Sequence, residues 1–263
     1  MNRFDADIAL RTLSEGRFRG EVVPRWSVGP GPNGGFIAAL AARALEQTLT
    51  PPLRSLTLHY LAAPALGPLD VTVTTLREGR TTAFAQVEMT QGGTLKVMCL
   101  AALAPWRADA PSYADVPRPE IAPPEDCIRV EGGRPGQPEM LSNYDMRVVA
   151  PDADARPLVL GGWIRSAEPR PLDAPLIAAM TDAWLPPAIV RVPEPVAVPT
   201  IDLTIHFRAP LEDAEEHPFV QARFTSTSAG GGTTEEDGWL WSADGTLLAQ
   251  SRQLAVVRRL PKA

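Results

Sequence analysis

Leu56-Thr57-Leu58-His59-Tyr60 and Leu203-Thr204-Ile205-His206-Phe207 decide the fold. Each alternates apolar and polar residues, the period-2 pattern of a strand with one buried face, and the two match position by position. A match of this kind marks two copies of one supersecondary unit. Working outward, each copy is preceded by an Ala-rich stretch, PNGGFIAALAARAL at Pro32–Leu45 and PLDAPLIAAMTDAW at Pro171–Trp184. Phe36, Ile37, Leu40, Ala41 and Ala44 recur at helical spacing, as do Leu176, Ile177, Met180 and Trp184, with Pro186-Pro187 as a stop. Further alternating runs follow: Val71 and Val73, Val87 and Met89, Leu95 and Val97, and Leu247 to Val257. Arg77-Glu78-Gly79, Gln91-Gly92-Gly93 and Ala243-Asp244-Gly245 supply turns between them. One helix and then several strands, twice over, predicts an α+β fold with helices packed on antiparallel sheet.

The copies are separated by a proline-dense segment from Pro105 to Pro138, where proline removes donors and fixes φ. The predicted organisation is an N-terminal unit over 1–106, a crossover over 107–140 and a C-terminal unit over 141–263. Apolar residues make up 44% and charged residues 21% of the 263, a globular balance that excludes wholesale disorder. Against 31 acidic residues stand 25 basic ones, so a nucleic-acid partner is not expected. The opening MNRFDADIAL has no leader pattern, and no uncharged apolar run is long enough to span a bilayer. Cys99 and Cys127 sit in unlike contexts without a C-x-x-C pair. A soluble cytoplasmic protein, with no membrane partner and no metal site, is the expectation.

Asn33-Gly34-Gly35 opening a helix, a His-Tyr strand running to Pro64, and Leu76-Arg77-Glu78-Gly79-Arg80 together resemble the type II acyl-CoA thioesterases. The resemblance runs from about Phe18 to Arg258 and implies a double hotdog, two units that each wrap a long helix in antiparallel sheet. It implies hydrolysis of an acyl-CoA to a carboxylic acid and free CoA, no cofactor, and a homo-oligomer. It also implies a site made of an Asp on the second helix, a Thr opening the next strand and a Gln on the last strand. Those positions fall on Asp182, Thr200 and Gln253, while Ala41, Ala42 and Arg43 leave the first half without a matching Asp. One site, assembled mainly from the second half, is therefore expected.

The chemistry suits these side chains. A carboxylate can take a proton from attacking water, worth about 10²- to 10⁴-fold, and a hydroxyl and an amide can orient both partners. No His lies near them in sequence, which favours direct attack by water. The helix start at Gly34, Gly35 and Phe36 offers N–H groups to polarise the thioester carbonyl. Arg77 and Arg80 are candidates for the CoA phosphates.

Ordinary explanations stand beside each of these. Asp182 lies opposite the apolar arc of its helix, where a solvated carboxylate is the usual outcome. Thr200 shares a strand face with Asp202, Thr204 and His206, so it reaches the apolar side only from a strand end or a bulge. Gln253 can be an ordinary satisfied polar residue, and Gly34-Gly35 can serve helix packing alone. Glu235-Glu236-Asp237 reads as a solvated acidic turn. An inactive acyl-binding protein is the alternative function. A dehydratase is the weaker one, because the string His-x-x-x-Gly-x-x-x-x-Pro is absent.

Overall fold

The computed structural model of the chain describes residues 1–134, 136–152, 154–211 and 216–260. The matched stretches lie in neighbouring strands, Leu53–Tyr60 and Thr200–Phe207, which pair antiparallel at the centre of one 14-stranded sheet. Thr57 faces Thr204, and the pairs Leu56–Ile205 and Leu58–Leu203 flank it. Equivalent residues of the repeat therefore meet across an approximate two-fold axis, with the two hydroxyls 3.2 Å apart. On the first-half side the sheet continues through Thr94–Leu103, Ala83–Gln91, Gly67–Glu78, Arg17–Val22 and Arg11–Ser14. On the other side it continues through Leu247–Val256, Thr233–Trp241, Val220–Ser226, Leu158–Ser166, Tyr144–Val148 and Ile128–Val130.

The first long helix, Gly34–Glu46, is apolar nearly all round because it is covered on both sides. Strands Leu53–Tyr60, Gly67–Glu78 and Ala83–Gln91 contact it on one side, and the second helix, Ala174–Met180, on the other. Phe36, Leu40, Leu56, Leu58, Leu69 and Val87 are fully buried there, each contributing about 1.5–3 kcal/mol of transfer free energy. Trp26 stacks on Phe36 with ring centroids 5.1 Å apart.

The second helix is shorter than its sequence pattern suggests, ending at Met180 rather than near Trp184. Thr181 closes it: its hydroxyl bonds the Ala178 carbonyl at 2.8 Å, and its N–H is shared among carbonyls of the last turn. Asp182 consequently sits in the turn beyond the helix. Pro187–Arg191 forms a separate single turn.

In the proline-rich crossover, Ile128–Val130 adds a short strand at the sheet edge, the place where proline neighbours are tolerated. Around it, Ala122 accepts from Trp163 Nε1 at 2.9 Å and Pro119 from Gln221 Nε2 at 2.6 Å, laying this chain back on the second half. Among the described residues no helix is long and apolar enough to cross a membrane, and no His, Cys, Asp and Glu cluster is placed to hold a metal ion.

Candidate functional site

Asp182 is held from the first half of the chain. Asn33 caps the helix Gly34–Glu46, its Oδ1 accepting from Phe36 N–H at 2.9 Å. The same side chain turns its Nδ2 toward the second helix, donating to the Asp182 carbonyl at 2.7 Å and to Asp182 Oδ2 at 2.9 Å. Gly35 N–H donates to that oxygen as well, at 3.0 Å. Glycine is required for this approach. A Cβ on Gly35 would lie 2.5 Å from the Ala179 carbonyl oxygen, and one on Gly34 would press on Asp182 Oδ2 and Tyr60 Oη. Tyr60 completes the cradle by donating its hydroxyl to the Gly34 carbonyl at 2.8 Å.

Thr200 and Gln253 reach the same place from the sheet. The strand Thr200–Phe207 carries a bulge between Thr200 and Asp202: Thr200 faces Ala255, whereas Asp202 already faces Leu254. The extra residue shifts the parity of Thr200 relative to Asp202, Thr204 and His206. Its hydroxyl then donates to Gln253 Oε1 at 2.8 Å. Gln253 is 4% exposed and points inward from Leu247–Val256, with Ser251 and Ala255 on the same face.

Glu235-Glu236-Asp237 is not a solvated turn, and this corrects the sequence reading. The three acids lie within the strand Thr233–Trp241, whose alternation turns the middle one inward with Thr234, Gly238 and Leu240. Glu235 caps the Thr227–Ser228 backbone and Asp237 pairs with Arg252 at 3.5 Å. Glu236 is 5% exposed, with Oε1 accepting from Gln253 Nε2 at 2.5 Å. One amide thus links Thr200 to a buried carboxyl that sequence reasoning missed.

Two carboxyls in such surroundings are forced toward their neutral forms. Burial pushes Asp182 up to about 6, against the Gly35 and Gly34 N–H groups and the Gln253 and Asn33 amides that stabilise its charge. Burial pushes Glu236 up further, to about 8, with the Gln253 amide opposing the rise and the charges of Asp182, Glu235 and Asp237 adding to it.

The helix-start N–H groups are not waiting for a ligand. Gly35 N–H is bonded to Asp182, Phe36 N–H to Asn33, and Gly34 N–H also acts on the Asp182 carboxyl. The N–H groups expected to polarise a thioester carbonyl are, in this structure, the ones that hold the acid and its Asn33 cap. The site is also less confined to the second half than expected, since Asn33 and Gly35 come from the first. Asn33 was visible as a capping residue, but its distant partner depends on how the helices pack. His59 and His206 are exposed on the outer face of the central strands, and Arg77 and Arg80 stand exposed around a hairpin turn. Tyr144 has a buried hydroxyl without a partner among the described residues, within electrostatic reach of Asp182.

Comparison with known proteins agrees with this architecture. The family model for the acyl-CoA thioesterase N-terminal domain matches residues 22–105, and that for the C-terminal domain matches residues 124–257. A conserved hotdog-fold protein of unknown function from Alicyclobacillus acidocaldarius superposes with a TM-score of 0.91 at 25% identity, covering 99% of this chain and all of that one. An acyl-CoA thioesterase II from Mycobacterium marinum superposes with a TM-score of 0.77 at 22% identity, covering 98% of each chain. An uncharacterised Mycobacterium tuberculosis protein is 27% identical over 91% of this chain and 90% of its own length. Its two matched domains and its paired helix-and-sheet units make the chain a member of the acyl-CoA thioesterase family, with the double-hotdog fold.

Proposed function

We propose that the protein hydrolyses an acyl-CoA thioester with water activated by Asp182. The observation that carries this reading is the convergence of Asp182 and the Thr200–Gln253 pair, brought from a turn and two strands around one carboxyl. With Oδ2 tied to Asn33 and Gly35, the other carboxyl oxygen works as the base. The water oxygen adds to the thioester carbonyl carbon as its proton passes to Asp182. The tetrahedral adduct then breaks its C–S bond, and the proton on Asp182 passes to the departing sulfur. The products are a carboxylic acid and the free thiol of CoA. Thr200 and Gln253 orient the water. A base raised toward neutrality is suited to the task, because it is ionised at working pH and still accepts a proton readily. The exposed placement of both strand histidines favours this chemistry over a dehydratase, which needs an imidazole at the reacting carbon.

Thiol release from short-, medium- and long-chain acyl-CoAs tests the proposal. Asp182→Asn keeps the shape of the side chain and should lower kcat by about 10²- to 10⁴-fold, with Asp109→Asn in the exposed crossover as the unaffected control. Undiminished turnover in Asp182→Asn would overturn the mechanism.

A further inference from the structure

The Gln253 amide has one carbonyl and one NH₂, and its orientation decides whether it can serve Asp182. Its Oε1 accepts from Thr200 and its Nε2 lies against Glu236 Oε1. Without an acceptor there, the amide is able to turn and present its carbonyl to the Asp182 carboxylate, acceptor against acceptor. Glu236 itself is deeply buried, and its Oε2 has no hydrogen-bond partner among the described residues. An ionised carboxylate in that position would be costly, and a neutral one much less so.

The duplication supplies a second, independent observation. Leu203 faces Gln253, which faces Glu236. The equivalent first-half residue, Leu56, faces Ala101, which faces Ala85. The first-half strand also carries a bulge, between Leu53 and Ser55, so Leu53 stands where the second half has Thr200. Thr200, Gln253 and Glu236 thus correspond to Leu53, Ala101 and Ala85, all buried. The polar side chains occur as a set of three, not as a pair with a stray acid beside it.

We propose that Glu236 is a positioning residue of this site: neutral in the working protein, it fixes the Gln253 amide with its carbonyl toward Thr200 and its NH₂ toward Asp182. The inference rests on the hydrolase reading above. The titratable groups around Glu236 are Asp182 from the turn after the second helix, and Glu235 and Asp237 on its own strand. Glu235 is tied outward to Thr227 and Ser228, and Asp237 to Arg252. No cation pairs with Glu236 among the described residues. Its ionisation would set a second negative charge beside the developing oxyanion and thiolate. Hydrolysis should therefore rise with pH as Asp182 ionises near 6 and fall as Glu236 ionises near 8.

The experiment measures kcat and KM of wild type, Glu236→Gln and Glu236→Ala on the acyl-CoA panel, from about pH 5 to about pH 10. In parallel, amide NMR follows the Gln253 side-chain NH₂ signals, assigned by their loss in Gln253→Glu. Glu236→Gln is neutral and still accepts a hydrogen bond, so it should keep kcat within about threefold and lose the alkaline fall. Glu236→Ala should lower kcat by about 10- to 100-fold with little change in KM, and should shift NH₂ signals that Glu236→Gln leaves in place. An alkaline fall retained in Glu236→Gln, or wild-type kcat in Glu236→Ala, overturns the proposal. Should Glu236→Ala fail to fold, the Glu236→Gln pH profile decides. If wild type releases no thiol from any acyl-CoA, the hydrolase reading fails on its own account. The NMR signals then decide the placement: shifted in Glu236→Ala they uphold it, unmoved they overturn it.

Discussion

The two helix starts are built alike and filled oppositely. Asn33 caps Gly34–Glu46 and Asp173 caps Ala174–Met180, each accepting from the N–H three residues on at 2.9 Å. Each cap also meets the far end of the other helix. Asn33 Nδ2 reaches Asp182 at 2.9 Å, and Arg43 reaches Asp173 at 3.2 Å. The partners differ in charge. Asp182 is held by neutral N–H donors, whereas Asp173 lies between Arg43 and Arg170, with Asp5 and Glu46 completing an ion network. Guanidinium partners stabilise a carboxylate's charge and lock elements together, while neutral donors orient a carboxylate and leave it able to take a proton. Duplication has left one junction as an ion network that holds the halves and the other as a carboxyl on neutral donors, the one the proposed hydrolysis uses.

The sharpest way to break this contrast is at Arg170. Its side chain is 4% exposed and bonds Asp173 at 2.7 and 2.9 Å and Asp5 at 2.9 Å. Arg170→Ala leaves two carboxylates short of a partner, and should cost about 3–5 kcal/mol in urea unfolding, nearer the lower figure because both acids keep some water. Turnover per folded molecule should stay within about twofold of wild type. A large fall in kcat with stability intact would show that the ion network takes part in the chemistry, and the division of labour would be lost.

Asp182→Asn probes the opposite junction, with a smaller effect of opposite sign. The folded protein raises this carboxyl to about 6 from its ordinary 3.8, so folding favours the protonated form. The associated stability is complete below the unfolded value and is lost as pH climbs through about 6. Asparagine is neutral throughout and can accept the same N–H groups. Near pH 8, Asp182→Asn should therefore be more stable than wild type, by at most about 3 kcal/mol, with the gap closing toward pH 4. Thermal unfolding across that range checks it, and a constant gap would mean that the acid is ordinarily solvated.

Much of the fold was legible because strand pairing follows the repeat. The five-residue match at Leu56 and Leu203 picked out the two strands that meet at the axis. Asp182, Thr200 and Gln253 came from resemblance, and alternation alone argued against Thr200, since strand parity contains no sign of a bulge. Glu236 was lost for a different reason. Three successive acids look solvated, yet Glu236 shares its parity with Leu240, which is fully buried. Extending the strand back from Leu240 would have turned it inward. The partner of Gly35 was beyond reach, because a helix start looks unbonded until helix packing brings Asp182 onto it; that of Phe36 follows from the Asn33 cap alone.

The smallest expected effect lies at the axis between the halves, where Thr204 Oγ1 meets Thr57 Oγ1 at 3.2 Å. Both threonines are partly exposed, so a hydroxyl left alone by substitution recovers much of its bonding from water. Thr57→Val and Thr204→Val should each cost about 0.5–1 kcal/mol in denaturant unfolding. The double variant should regain most of that loss, since two β-branched side chains pack well across adjacent strands. The near two-fold geometry requires the two single costs to be equal, and a difference above about 1 kcal/mol would break the symmetry of the junction. Equal costs with recovery in the double variant would assign the joining of the halves to the backbone ladder and the flanking Leu56–Ile205 and Leu58–Leu203 pairs, not to the hydroxyl contact.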